Sequence, residues 1–273
     1  MAAAALFSTA GAAIKSCSLS GLQVACFRSA VAAITIAALM PEARRRWTWA
    51  AGLVSLAYSS CMVLFVLSTK LTTAANAIFL QSTSPLYILA LGPWLLREPV
   101  RRRDLAFLLP LVVGLLLFFV GGDRPAATAP DPVRGNLLAA ASGLAIALMV
   151  LGLRWLAGRG QGEAALAVLM GNVVGFVATL PAALPVADVR LTDVLIIGYL
   201  GLFQLGIAYV LLARAIVHVP ALEASMLLFV EPVLNPVWAW LVHGEVPSFW
   251  SRVGGALILG ATAFRTLVHA RRA

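Results

Sequence analysis

The chain has 273 residues, of which 62% are hydrophobic and 11% are charged, whereas soluble domains average about 45–50% and about 25%. A soluble core cannot bury so many apolar side chains, because even a large domain leaves much of its surface in water. The net charge of +9 sits in short basic clusters between apolar runs, which suits membrane topology and argues against a nucleic-acid-binding face.

Ten apolar stretches follow one another along the chain, and each approaches the roughly 20 residues that a membrane-spanning helix needs. Short connections join them, except for a longer segment at 121–134 whose Pro, Ala and Asp content is typical of a linker. The sequence therefore predicts an all-α integral membrane protein of ten transmembrane helices, with one five-helix repeat at 1–124 and a second at 134–273. The stretches lie at 2–18, 20–40, 47–67, 74–96, 103–122, 135–157, 163–184, 192–213, 220–242 and 249–268.

Lys and Arg residues lie mostly on one side of the predicted helices when the N-terminus is placed in the cytoplasm. The clusters at 44–46 and 101–103 share that side with Arg271 and Arg272. Because loops rich in Lys and Arg stay in the cytoplasm, this distribution predicts a multi-pass protein of the cytoplasmic membrane with both termini inside the cell. An odd number of helices would place the two C-terminal arginines on the wrong side.

The two halves share a pattern of proline and acid. Pro85 precedes Glu98 by 13 residues, Pro232 precedes Glu245 by 13 residues, and one offset of 147 relates both pairs. The shared offset indicates a duplication. Five helices is an odd number, so the two copies are predicted to cross the membrane in opposite directions, which is the inverted-repeat plan of many secondary transporters.

A resemblance to a known family is concentrated in the segments 220–224, 231–240 and 243–245, which read PALEA, EPVLNPVWAW and HGE. This run resembles the ninth helix of EamA-type transporters of the drug/metabolite transporter superfamily, and the segment 84–98 resembles their fourth helix. The resemblance implies ten helices in two inverted repeats and export of amino acids, metabolites or drugs, often coupled to an ion gradient. The chain departs from the family at His243, where an apolar residue is expected, and in its abbreviated first helix.

Two acidic residues, Glu223 and Glu231, lie on the predicted ninth helix, where a charge in mid-membrane costs about 2.5–3.5 kcal/mol and needs a function or a partner. Eight residues separate them, which places them about 80° apart around the helix axis, so both can face one cavity. Glu223 is a candidate proton carrier. Alternatively, it lies near the water-exposed cytoplasmic end of the helix and pairs with Arg214 or His218. Glu231 is predicted to line the cavity.

Four prolines occupy related positions in the two halves, Pro85 and Pro93 in the fourth helix and Pro232 and Pro236 in the ninth. A proline inside a helix removes a backbone hydrogen bond and leaves carbonyl groups free, which in lipid must face protein or water. Interrupted helices at matched positions are typical of a mid-membrane binding site, so these prolines are candidates for kinks or gates. A static kink that only aids packing is the alternative.

Arg28 lies near the middle of the second helix, where a lone buried charge would be very costly. We expect a carboxylate or carbonyl partner in a structural role, with binding of a substrate anion as the alternative. Other polar and aromatic residues inside apolar helices are cavity candidates, although each can instead hold helices together or anchor the membrane interface. They are Asn76, Gln81, Tyr87, Gln204, Tyr209, Asn235 and Trp238. Glu98 and Glu245 are expected in loops beside water.

The function hypothesis is secondary active transport by alternating access, with export of a small metabolite, amino acid or drug and protons as the candidate coupling ion. The alternatives are a membrane-embedded enzyme acting on a lipid-linked substrate and a channel. An enzyme is not expected, because the three histidines are scattered and form no catalytic motif. The three cysteines lack metal-ligand spacing, so no metal or cofactor is predicted. Small residues such as Gly143 and Gly171 suit close helix packing, within one chain or in a homodimer.

Overall fold

The computed structural model describes residues 2–44, 46–95, 102–120, 125–157, 159, 162–215 and 230–270. This part of the chain consists of helices joined by short turns, with a 3₁₀ turn at Pro41–Ala43 and a π-helical segment at Tyr199–Ile207. The α-helices are α1 Ala2–Ser8, α2 Ala10–Ser16, α3 Gly21–Leu39, α4 Trp49–Leu71, α5 Ala74–Gln81, α6 Ser84–Leu95, α7 Arg102–Val120, α8 Pro132–Ala157, α9 Glu163–Ala183, α10 Leu191–Gly198, α11 Ala208–Ala215, α12 Val230–His243 and α13 Phe249–Ala270.

Several helical stretches have the length and hydropathy that crossing a membrane requires. Shorter apolar helices occupy Leu108–Val120 and Phe249–Phe264. The count of ten crossings stays a prediction, because residues 220–229 of the ninth predicted stretch lie outside the described residues. Six stretches in the described chain meet the full requirement: Gly21–Leu39, Trp49–Leu71, Ala74–Leu95, Pro132–Leu156, Glu163–Ala183 and Leu191–Leu212.

Polar caps decide where several helices begin. Before α3, Ser20 Oγ accepts a hydrogen bond from the backbone N–H of Gln23, and Gln23 Oε1 accepts one from the Ser20 N–H. Thr48 and Thr73 accept the corresponding bonds before α4 and α5. Each cap satisfies a backbone donor that the first turn of a helix leaves without a partner. Short polar sites therefore mark the starts of α3, α4 and α5 and separate them from the helices before them.

The fourth predicted stretch is interrupted in its interior. The stretch 74–96 forms two helices, α5 and α6, with a turn at 82–83 between them and Pro85 in the first turn of α6. Pro93 lies inside α6 and Pro236 inside α12, while Pro232 is buried in the first turn of α12. A proline is accepted in a first turn because the N–H there has no helical acceptor. The role of these prolines as gates stays a prediction.

Helices from the two predicted halves pack against one another throughout the described bundle. α3 packs on α9 and on the π segment, and α4 packs on α8 and α9. α5 contacts α8 and α12, α7 packs on α13, and α1 and α2 lie along α12.

Small residues allow some of these helix pairs to approach closely. A Cβ atom at Gly171 would overlap the Tyr58 ring and lie 2.8 Å from its Cγ, and one at Gly143 would lie 3.0 Å from the Leu80 carbonyl oxygen. Both glycines therefore serve packing within the chain, and the homodimer stays a prediction.

Candidate functional site

Arg28 is buried in the middle of α3, with 1% of its surface exposed. Its Nη2 donates a hydrogen bond to the Met62 carbonyl oxygen at 2.9 Å and lies 3.9 Å from the Met62 sulfur. Its Nε has no hydrogen-bond partner, and no described carboxylate lies within 4.0 Å of the guanidinium. The observed partner of this cation is therefore a carbonyl, which compensates little of the cost of burying a charge.

Polar side chains from other helices lie near Arg28 or share its neighbours. Tyr58, Cys61 and Tyr209 are within electrostatic range of Arg28, and Cys61 and Tyr209 are also within electrostatic range of Glu231. Cys61 and Tyr209 therefore link the basic and the acidic residue of this group. We call this group the central cluster, and its members are Arg28, Tyr58, Cys61, Asn172, Tyr209 and Glu231.

Ring packing and a hydrogen bond from Asn172 hold Tyr58 in place beside Tyr209. The Tyr58 and Tyr209 ring centroids are 5.7 Å apart. Asn172 Nδ2 donates to the Tyr58 hydroxyl at 3.1 Å. Gly171 precedes Asn172 and leaves the space that the Tyr58 ring occupies. The sequence of α9 therefore provides both the room for Tyr58 and the donor that orients it.

Gln81 borders the central cluster and ties three helices together. Its Nε2 donates to Ser142 Oγ at 2.7 Å and lies 3.5 Å from the Cys61 sulfur. Ser142 Oγ in turn donates to the Cys61 carbonyl oxygen at 3.2 Å. Gln81 therefore joins α5 to α8 and α4, and its amide nitrogen already has a strong partner.

Asn76 belongs to a separate network near the start of α5. Its Nδ2 lies 3.3 Å from both Thr72 Oγ1 and Asn136 Oδ1, and Asn136 Nδ2 donates to the Phe118 carbonyl oxygen at 3.1 Å. These bonds join α5 and the end of α4 to α7 and α8. This network matches the structural alternative considered for Asn76 from the sequence.

Several buried polar atoms have no hydrogen-bond partner among the described residues. Asn172 lacks a donor for its Oδ1, Gln204 lacks one for its Oε1, and both amide atoms of Asn235 are unpaired. Asn235 is 0% exposed and Gln204 is 4% exposed. An unpaired buried group costs about 1–3 kcal/mol, so such groups mark a place for water or a ligand. Gln204 also lies in the π segment, a distortion that is frequent at functional sites.

The remaining candidates occupy varied positions. Tyr87 is half-buried on α6, and its Cε2 lies 3.3 Å from the Cβ position of Gly143. Trp238 donates from Nε1 to Ser8 Oγ at 3.0 Å, which joins α12 to α1. Glu223 lies outside the described residues, as does Glu98.

Glu245 lies in a loop as expected, but the expectation that it faces water is wrong. Glu245 is 6% exposed, its Oε1 is 2.8 Å from Lys15 Nζ, and its Oε2 accepts a hydrogen bond from the Ala74 N–H at 2.9 Å. The start of α5 offers free N–H groups and the positive end of a helix dipole, which attract a carboxylate. No local pattern in the sequence indicates this pair, because its partners are far apart in the chain. Among the described residues, no group of His, Cys, Asp or Glu is placed to hold a metal ion.

Comparison with known proteins finds a family model that matches most of the chain, a partial match to a curated protein and a solved structure of similar fold. A model of the EamA-like transporter family matches residues 1–120 and 133–267. A Bacillus subtilis (strain 168) protein, "Uncharacterized transporter YdfC", is 36% identical over 80 residues, which are 29% of this chain and 26% of that protein. A crystal structure with 21% sequence identity superposes with a TM-score of 0.65 and covers 97% of this chain and 96% of that one, which shows a shared fold.

Proposed function

The chain belongs to the EamA-like transporter family, and from this membership we propose that it is a secondary active transporter that moves a small solute by alternating access. The family and the transporter-named relative make it a multi-pass membrane transporter of the drug/metabolite type. The observation that carries the finer proposal is the central cluster, where charged and polar side chains from five helices converge inside otherwise apolar segments.

Arg28 is the proposed anchor for an anionic group of the solute. A buried guanidinium whose observed partner is one carbonyl is costly in a membrane interior, and such residues commonly mark a substrate or ion pathway. The Tyr58 and Tyr209 hydroxyls provide neutral hydrogen-bonding groups beside it, and Glu231 provides the opposite charge. The solute would thus meet a cation, an anion and two aromatic rings.

Helix pairing supports the proposed division into two inverted repeats. Under the offset of 147, α3 corresponds to α9, α7 to α13, and the α5–α6 stretch to α12. Each of these helices packs against its own counterpart, as expected when a two-fold axis relates two copies. We therefore retain repeats at 1–124 and 134–273, with the interrupted α5–α6 stretch and α12 as the moving parts.

Orientation and coupling form the last part of the proposal. Arg159 lies over the rings of Trp49 and Trp155, 5.4 Å and 4.1 Å from their centroids, which is typical of a membrane interface. Together with the basic clusters, this contact supports a cytoplasmic location for the start of α4, the end of α8 and both termini. We propose export across the cytoplasmic membrane, coupled to proton entry through Glu223 or Glu231.

Purified protein in liposomes tests this proposal. A panel of radiolabelled amino acids, other metabolites and drugs is loaded, and flux is followed with and without an imposed pH gradient. Gradient-dependent flux of at least one solute is expected, and the Glu223→Gln and Glu231→Gln variants should show which carboxylate carries the proton. Wild-type flux and an unchanged pH profile in both variants would contradict the coupling mechanism.

A further inference from the structure

A row of polar contacts joins α12 to α1 and α2, and we call this contact the α12 seam. The two sides run in the same direction, so the contacts follow in sequence order on both. Small side chains elsewhere on the seam allow close approach. The contacts join Ser8 Oγ to Trp238 Nε1 at 3.0 Å, the Ala12 carbonyl oxygen to His243 Nε2 at 2.9 Å, and Lys15 Nζ to Glu245 Oε1 at 2.8 Å.

Lys15 and Glu245 close one end of the α12 seam with an ion pair whose side chains are 3% and 2% exposed. Lys15 Nζ also donates to the Thr72 carbonyl oxygen at 2.8 Å and to the Thr128 carbonyl oxygen. Glu245 accepts from the Ala74 N–H. One ion pair therefore connects α2, the end of α4, the linker, the start of α5 and the loop that follows α12.

Beneath this ion pair the seam is tightly packed. A Cβ atom at Gly11 would overlap the Asn235 side-chain oxygen and lie 2.8 Å from the Ala74 Cβ, so α2, α5 and α12 leave no space there. The Asn235 amide is fully buried and has no hydrogen-bond partner among the described residues. The closed seam therefore combines a favourable ion pair with an unfavourable buried amide, which water would solvate if the seam opened.

A cavity of about 290 Å³ lies at the same end of the bundle. Its lining is mixed polar and apolar and includes Glu245 of the ion pair. The lining residues are Thr73, Ala126, Thr128, Ala129, His243, Gly244, Glu245, Val246 and Ser248. The ion pair thus lies between this cavity and the packed contact beneath it.

We propose that the α12 seam is a gate, and that Lys15 and Glu245 are the lock that holds it closed in the described conformation. This inference rests on the proposed alternating-access function, because the seam joins helices of the two predicted halves. Opening breaks the ion pair, separates α12 from α2 and α5, and connects the cavity to the solute path. Gly11 and Asn235 form the closed contact, and the unsatisfied amide keeps the closed state from being too stable.

Thiol accessibility tests the lock without any need for transport. In a background with the three native cysteines replaced by serine, Asn235→Cys places a small reporter at the closed contact. Its reaction with a membrane-impermeant maleimide is timed in reconstituted protein, alone and with Glu245→Gln or Lys15→Met. Arg134→Gln is the matched control, because Arg134 forms an exposed ion pair with Asp131 at 3.2 Å and is 80% exposed.

Breaking the lock should increase the labelling rate at least about tenfold, since removing one partner of a buried pair strongly destabilises the arrangement that holds it. Arg134→Gln should leave the rate unchanged. A rate that stays unchanged in both lock variants, or that rises equally in the control, overturns the gate.

A cross-link across the seam provides a second test if the lock variants do not fold. Ser16 Oγ and His243 Nε2 are 3.3 Å apart across the seam, so in the background without native cysteines Ser16→Cys with His243→Cys places two thiols that a short bis-methanethiosulfonate cross-linker can join. Flux should stop on cross-linking and return on reduction, and continued flux through the cross-linked form overturns the gate. Absence of solute flux in the wild-type protein would contradict the proposed function, while the labelling result would still decide whether the seam opens.

Discussion

Replacing each of two buried cations by methionine is expected to change the stability of this protein in opposite directions. Lys15 is paired with the buried Glu245 carboxylate, whereas the observed partner of Arg28 is the Met62 carbonyl. Lys15→Met leaves an unpaired carboxylate, and removal of one partner of a buried pair costs about 3–5 kcal/mol. Arg28→Met removes a charge whose insertion costs about 2.5–3.5 kcal/mol. It also loses a hydrogen bond to a charged group, worth about 1.5–3 kcal/mol.

The expected stability changes therefore differ in size and in sign. Arg28→Met should change the free energy of unfolding by between about 0 and +2 kcal/mol, while Lys15→Met should lower it by about 3 kcal/mol or more. A domain of about 150–250 residues shifts its melting temperature by about 2–4 °C per kcal/mol, so the two variants should melt at least about 6 °C apart. Thermal unfolding in detergent, followed by tryptophan fluorescence, measures this difference.

Solute flux completes the test of Arg28. If the guanidinium holds a solute anion, Arg28→Met should abolish flux of an anionic or zwitterionic solute while the protein stays folded. A loss of stability as large as that of Lys15→Met would show that Arg28 has a structural acidic partner and would refute its role in binding. A stable variant with wild-type flux would refute that role equally.

Three further changes test the packing and capping. Gly171→Ala should lower stability by about 1–3 kcal/mol because its Cβ overlaps the Tyr58 ring, whereas Gly198→Ala, which has open space, should be neutral or stabilising; thermal unfolding of both compares them. Asn136→Leu should lower the melting midpoint by removing the acceptor of two buried donors at about 1–3 kcal/mol each, and unchanged stability would contradict that network. Thr48→Ala should cost about 1 kcal/mol through the lost cap of α4, and Thr48→Ser should restore it in the same measurement.

The sequence predicted the helical stretches and the family well because both depend on local patterns. Long apolar runs have few alternatives in a membrane, where every backbone polar group must be satisfied within its own segment. The segments 231–240 and 243–245 carry the family resemblance, and the match to the EamA-like transporter family confirms it. The turn at 82–83 directly precedes α6, whose second residue is Pro85, so a local sequence pattern also accounts for this turn.

The contacts that define the central cluster and the α12 seam were not predictable in the same way. Tyr58 and Asn172 come together because Gly171 leaves room for a ring from another helix, which no local pattern reveals. The π segment replaces an expected regular helix, and it packs against α3. Lys15 and Glu245 lie at opposite ends of the sequence, and each alone is typical of a solvated helix end.

Satisfied and unsatisfied polar groups are unevenly distributed in the bundle, and this distribution argues for where the solute moves. The network of Asn76 and Asn136 and the contacts of Gln81 join α5 to α4 and α8 through well-paired bonds, which favours a rigid support. Other unpaired atoms belong to Arg28 on α3, Asn172 on α9, Gln204 in the π segment and Asn235 on α12. Because a buried polar group without a partner is costly, several such groups on one set of helices indicate a functional surface. The surface that meets the solute is therefore expected between α3, α9, the π segment and α12, with Asn235 belonging both to that surface and to the gate.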